Sequence, residues 1–221
     1  MSEQSEIRDI LVIDDNPGVR DSLAFPIEAA LRRPVIQTEP LGRLEDFLKV
    51  PLRADAAISD YQLSPGNFAF FDGATLVAKW YQQKFPAILC TQFDKANLAQ
   101  FRVLRRWIPV LMPPGELDPD TLMQGLELVQ REFSDDFAPS RRPWRALVRF
   151  VEYSEETNTA NALVPGWSQE VVGLRALDLP EPLRAGIRAA QASGDQYRCH
   201  AVANLGAEHN EDLYLSEWEV R

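Results

Sequence analysis

Apolar positions follow two different rhythms along the 221-residue chain. Through residue 133, short β-branched runs alternate with stretches in which apolar side chains recur every three or four positions. Residues 10–14 (ILVID) predict a buried parallel strand. Asn16-Pro17 then opens a helix, and Val19, Leu23, Ile27, Ala30 and Leu31 carry its stripe to about residue 32. Residues 34–38 predict a second strand, Leu44, Phe47 and Leu48 a short helix, and residues 54–60 a third strand. Residues 61–72 (YQLSPGNFAFFD) form a connection of about twelve residues, long for a strand-to-helix loop. A helix over 73–83, a strand over 87–91, a helix near 94–103 and a strand over 108–112 follow. Pro113-Pro114-Gly115 stops that strand, and Leu122, Leu126, Val129 and Phe133 line one stripe of a last helix over 118–133. Strands and helices in this alternation imply an α/β fold, a doubly wound five-stranded parallel sheet with helices on both faces.

The rhythm then changes. Residues 134–143 (SDDFAPSRRP) are polar and proline-containing and read as a linker. Alternation of period two marks strands over 145–153, 160–164, 170–177, 197–204 and 213–220, with helical spacing over 182–193. The expected organisation is a first domain over 1–133 and, over 144–221, a small α+β, β-rich, barrel-like domain with one helix. Trp144, Trp167 and Trp218 are available for the second core.

Charge narrows the function classes. Thirty-three acidic against 23 basic side chains give a formal net charge of -10. Such a surface repels nucleic acid and anionic membranes over long range. Residues 140–221 hold nine arginines and twelve acids, so most of the excess negative charge belongs to the first part. No apolar stretch reaches the ~20 residues of a membrane span, and the N-terminal MSEQSEIRD has no signal-peptide core. Cys90 and Cys199 stand far apart, so a disulfide framework is not implied, and a reducing cytoplasm is the expected compartment.

The chemistry concentrates at strand ends. Asp14-Asp15 closes the first strand and Asp60 the third. In an open α/β sheet, sites form beyond the carboxyl ends of the strands. Carboxylates gathered there repel one another unless a cation lies among them. Hard oxygen donors suit Mg²⁺, which keeps several waters, so the cluster points to a metal-assisted phosphate site with an aspartate as candidate nucleophile.

VIDDNPGVRDSL, AAISDYQLSP with Asp72-Gly73 after it, ILCT ending at Thr91, and LMPP after the fifth strand together resemble the receiver domain of bacterial two-component response regulators. The resemblance covers about the first 133 residues and implies a flavodoxin-like fold. It implies Asp60 as phosphoacceptor and Asp14 and Asp15 as Mg²⁺ ligands, with the backbone carbonyl of Gln62 as a further ligand. Thr91 takes the position of the switch hydroxyl that bonds the phosphoryl group. A histidine kinase is the implied partner. Pairing of receivers through the face of the fourth helix, fifth strand and fifth helix would use Leu104, Trp107 and Leu117 here, as a homodimer.

Two positions depart from the family. Met112 stands where a lysine bonds the phosphoryl oxygens, and methionine supplies neither charge nor a donor. Pro109 stands where an aromatic switch residue is usual. Arg105 and Arg106 are candidate substitutes for the lysine, and the apolar Phe68–Phe71 stretch is a candidate pocket cover or contact surface. Two readings stay open: a rewired Mg-dependent phosphoacceptor signalling through protein contacts of the C-terminal domain, not an enzyme beyond autophosphorylation from a phosphodonor, or a pseudo-receiver scaffold without phosphotransfer. A third is a C-terminal barrel that binds a ligand or nucleic acid, which the acidic balance disfavours. The plainer reading of His200, His209 and Glu208 is a strand and turn rather than a metal site. For Arg141, Arg142 and Arg145 it is a hinge or ion pairs rather than a phosphate contact.

Overall fold

The computed structural model describes residues 6–92 and 101–220. The chain packs as two compact units. Among the described residues, 6–92 and 107–136 form the first, and 101–106 with 137–220 the second.

The first unit is a five-stranded parallel sheet in the order β2-β1-β3-β4-β5. Its strands are β1 (Asp9–Ile13), β2 (Arg33–Ile36), β3 (Ala56–Ser59), β4 (Ala87–Cys90) and β5 (Leu111–Met112). The helices are α1 (Pro17–Ala29), α2 (Leu44–Phe47), α3 (Gly73–Gln82) and α4 (Pro119–Glu132). This is the flavodoxin-like doubly wound order. The central strands β1, β3 and β4 are buried along nearly their whole length, which is why they read as continuous apolar runs. Ile10, Val12, Ile58 and Ile88 pack against Leu23 and Ile27 of α1 and Leu122, Leu126 and Val129 of α4. Phe47 of α2 packs at a tilt against Trp80 of α3, which is itself 1% exposed.

Local chemistry sets the helix ends. Asn16 caps α1 by accepting from the Gly18 amide at 2.9 Å, with Pro17 at the first helical position. Asp118 and Thr121 form a reciprocal capping box on α4. The helix expected near 94–103 falls largely outside the described residues; 101–104 form turns, followed by a 3₁₀ turn at Arg105–Trp107.

The second unit is an antiparallel five-stranded sheet in the order β10-β9-β6-β7-β8. It comprises β6 (Trp144–Ser154), β7 (Thr159–Leu163), β8 (Val171–Arg175), β9 (Arg198–Ala203) and β10 (Leu215–Glu219), with one helix, α5 (Glu181–Ala192). Val148, Phe150, Ala162, Val172 and Cys199 point inward and pack with Leu183 and Ile187 of α5. Of the three tryptophans, Trp167 and Trp218 border this core, whereas Trp144 is 48% exposed at the start of β6.

Among the described residues no ladder joins β8 to β10. Arg102 bridges these edges instead. Its Nε donates to the Gly173 carbonyl at 3.0 Å, its Nη1 to the Asn210 and Leu213 carbonyls at 2.6 Å each, and its Nη2 to Asn210 Oδ1 at 2.7 Å. The Arg102 carbonyl accepts from the Leu215 amide. Burial pulls this guanidinium down to about 10, yet every bond it makes requires the charged fork. The sequence reading places residues 101–106 with the first domain; their packing groups them with the second because Arg102 finds its acceptors there.

Arg102→Met removes four hydrogen bonds and leaves buried carbonyls without donors. It is expected to destabilise the second unit by about 3 kcal/mol. Hydrogen exchange should accelerate at the amides of β8 and β10 while those of β1 and β3 keep their protection.

Candidate functional site

The register of two neighbouring strands builds the site. Ile13 lies opposite Ser59 in the β1–β3 ladder, and the Asp60 amide donates to the Ile13 carbonyl at 2.9 Å. The next residues, Asp14 and Asp60, therefore leave the sheet side by side at its carboxyl end. Asp14, Asp15, Asp60, Gln62 and Thr91 line one cavity of about 480 Å³. All five residues that the sequence assigns to the site are thus brought together.

Two of the three acids are held. The Asn16 amide donates to Asp14 Oδ1 at 2.7 Å, and the Gln62 amide to Asp60 Oδ2 at 2.8 Å. The Thr91 hydroxyl faces the Asp60 carboxylate and lowers its proton affinity. Thr91 is fixed in turn, its amide bonded to the Met112 carbonyl at 3.0 Å. Burial pushes Asp14 up to about 6, and the charges of Asp60 and Asp15 add to that rise; the Asn16 amide and Arg20 oppose it. Asp60 is also raised, chiefly by burial, against the bonds from Tyr61, Thr91 and Gln62. The same burial, together with the negative charge of the two acids, lifts the Cys90 thiol behind them to about 12, so it stays protonated and unreactive.

Two residues that the sequence reading did not single out support the acids. Arg20 of α1 is 7% exposed and donates through Nη1 to the Asp14 carbonyl at 3.2 Å and the Gln37 carbonyl at 2.8 Å; its guanidinium lies over the Phe68 ring. The available signal was its spacing, since Arg20, Leu23 and Ile27 share the buried stripe of α1. Gly73 opens α3 against the loop that begins at Asp60. A Cβ there would sit 1.7 Å from the Asp60 carbonyl oxygen. Its own amide bonds the Tyr61 carbonyl at 2.8 Å, and Asp72 caps the helix through the Thr75 amide at 2.6 Å.

The departures have a structural outcome. No lysine or arginine is among the described residues lining the cavity. Met112 is half-buried against the apolar core, and Pro109 is buried. Arg105 and Arg106 do not stand in for the lysine: within the second unit Arg105 faces Asp212 at 3.7 Å and Arg106 lies over Phe137 and Tyr214. The Phe68–Phe71 stretch is only partly a surface. Phe68 and Ala69 are buried, tied down by the Leu41 amide on the Phe68 carbonyl and the Phe70 amide on the Gly42 carbonyl, and only Phe70 projects, at 70% exposure. Of the expected pairing residues, Leu117 is buried in the first core, while Leu104 and Trp107 are half-buried. The arginines after the linker make internal contacts: Arg141 donates to the Arg105 and Arg106 carbonyls, Arg142 lies over Trp144, and Arg145 pairs with Glu219.

The donor set fits Mg²⁺ in kind. The oxygens are hard, and the acid with the highest pKa is buried beside two others. Among the described residues no three acidic, histidine or cysteine side chains close into a chelating group. Mg²⁺ does not require one, since one or two carboxylates and several waters suffice.

Asp14 also sets a pH dependence. Between pH 3.8 and about 6 the folded site holds a proton that the unfolded chain has released, so stability falls as pH rises through this window. Asp14→Asn is expected to flatten that slope and raise neutral-pH stability by on the order of 2 kcal/mol, read from urea unfolding without divalent cations. Gly73→Ala is expected to cost about 3 kcal/mol or more, because the close neighbour is backbone and has no rotamer to yield; the unfolding midpoint measures it.

No protein-family model matches the chain, and no curated protein matches it. Many solved structures similar to its N-terminal part are response regulator receiver domains. One is a response regulator receiver domain protein from Clostridium thermocellum, at 13% identity and a TM-score of 0.43 over 58% of this chain and 98% of that one. Another is the signal receiver domain of an HD domain-containing protein from Pseudomonas fluorescens, at 16% and 0.42 over 62% and 96%. A third is a response regulator receiver domain protein from Methanospirillum hungatei, at 14% and 0.41 over 59% and 99%. The second unit has no named counterpart among these structures.

Proposed function

We propose that the chain is an atypical receiver-type regulator in which Asp60 accepts a phosphoryl group and the C-terminal unit delivers the output through protein contacts. The observation that carries this reading is the convergence of Asp14, Asp15, Asp60 and Thr91 on one cavity. Asp14 and Asp15, with the Gln62 carbonyl, would hold Mg²⁺, which when bound supplies positive charge to acids and phosphoryl oxygens alike. A carboxylate oxygen of Asp60 attacks phosphorus in line, the P–O acyl phosphate bond forms, and the bond to the donor's leaving group breaks with its electron pair. The Gln62 amide, which now satisfies Asp60, and the Thr91 hydroxyl beside it are the donors placed to turn toward the new dianion. Arg20 keeps the Asp14 backbone in place throughout. The donor would be a phosphohistidine kinase or a small phosphodonor, and the compartment a reducing cytoplasm, in keeping with two free, buried cysteines. The described helices include none long and apolar enough to cross a membrane.

One observation favours a second reading, a pseudo-receiver scaffold: with Met112 in place of lysine, no side-chain cation is among the described residues lining the cavity.

Intact-mass measurement after incubation with Mg²⁺ and acetyl phosphate separates the two. The expected result is a gain of one phosphoryl group in the wild type and none in Asp60→Asn. Absence of any gain in the wild type across donors rejects phosphotransfer and leaves the scaffold. Met112→Lys is expected to slow loss of the phosphoryl group by roughly tenfold, through one restored charge-assisted bond.

A further inference from the structure

The outward face of the second sheet carries an unneutralised pair of arginines. Arg149 of β6 and Arg198 of β9 are directly opposite in the antiparallel register. Like charges so placed repel, since such side chains stand about 5 Å apart at Cβ. Neither forms an ion pair among the described residues, and Arg149 Nε is buried without a hydrogen-bond partner. The acids on this face are engaged elsewhere. Glu219 holds Arg145 through two bonds of 2.6 and 2.8 Å, and Glu152 accepts from Asn161 at 2.7 Å.

Aliphatic side chains surround the pair. Across the sheet the row runs Arg198, Arg149, Leu163, Val171. Along β6, Leu147 and Val151 lie two residues to either side of Arg149. Leu147, Val151 and Val171 are 42, 39 and 51% exposed. The helix α5 packs on the opposite, inward face.

We infer that this face docks a partner protein through a segment that places a carboxylate between aliphatic side chains. Two adjacent guanidinium forks match one or two carboxylates in bidentate geometry and relieve the mutual repulsion. The flanking Leu147, Val151 and Val171 take the apolar neighbours out of water. A nucleic acid fits less well, because a polyanion meets the field of a chain with net charge -10, whereas one or two carboxylates respond to the local pair within a Debye length. The inference deepens the proposed output through the C-terminal unit and is read without phosphodonor, so its failure and failure of phosphorylation at Asp60 are separate results.

The probe is a fluorescein-labelled peptide of alternating leucine and glutamate, added to the full chain and followed by anisotropy. The expected result is saturable binding that Arg149→Glu with Arg198→Glu weakens by at least about tenfold and that a leucine–lysine peptide does not reproduce. Should charge reversal unfold the chain, Leu147→Asp on the exposed part of the face, which removes an apolar contact and adds like charge toward the peptide, carries the same test with the same expected loss. No binding, or equal binding by wild type and variants of unchanged thermal stability, overturns the inference. Stronger competition by single-stranded DNA than by unlabelled peptide overturns it in favour of a polyanion. Self-association of the wild type that charge reversal abolishes overturns it in favour of a second copy of the chain.

Discussion

The alignment of β1 with β3 is the constraint on which the acid site depends. Ile13 opposite Ser59 leaves Asp14 and Asp60 no choice but to emerge together where the sheet ends. Burial raises the proton affinity of both carboxylates; the charge of Asp60 adds to the rise at Asp14, and that of Asp15 to the rise at Asp60. The surroundings read as devices for holding the acids in this costly arrangement. Asn16 and Gln62 turn their amides onto the carboxylates, Arg20 clamps the backbone of Asp14 from behind, and Gly73 lets α3 approach the Asp60 carbonyl more closely than any side chain would allow. Amides and one more distant guanidinium hold these acids, and no ammonium is among the described residues lining the cavity.

The sequence made much of the first unit legible because buried parallel strands and amphipathic helices have distinct periods. The runs 10–14, 54–60 and 87–91 read as central strands, and the two acids and the threonine that close them meet at the carboxyl end of the sheet. Gly73 was visible as the glycine of Asp72-Gly73, yet its purpose required coordinates, since close approach to another segment leaves no periodic trace. Arg20 was hidden for the opposite reason. A charged residue on an apolar stripe reads as an interruption until the two carbonyls it satisfies are seen. Trp144 misled for want of context: it opens a strand whose buried positions begin at Ala146, and Arg142 covers its ring.

The β-rich unit was legible as strands and one helix, but how its edges are managed left no trace in the pattern of residues. An antiparallel sheet of five strands has two exposed edges, each a row of unpaired backbone groups. Here the acceptors of β8 and of the turn before β10 are collected by one guanidinium from residues that lie between β4 and β5 in the chain. Nothing local to residues 101–106 announces this. The acceptors are 71 to 111 positions away, and hydrogen bonds between carbonyls and an arginine carry no pattern in sequence.

That placement has a consequence for how the two units are joined. A chain that passes from one compact unit to another once can be cut at the linker with little loss. Here residues 101–106 belong to the second unit while residues on both sides belong to the first, so the connection is threefold rather than single. One of those connections starts just beyond β4, the strand that delivers Thr91 to Asp60, and returns just before Ile108 and Val110 enter the first core. A cut at the linker therefore leaves residues 101–106 on the first unit's chain and strands Arg102, a buried cation, with none of its carbonyl acceptors. The same cut strips the sheet that presents Arg149 and Arg198 of the side chain that spans β8 and β10.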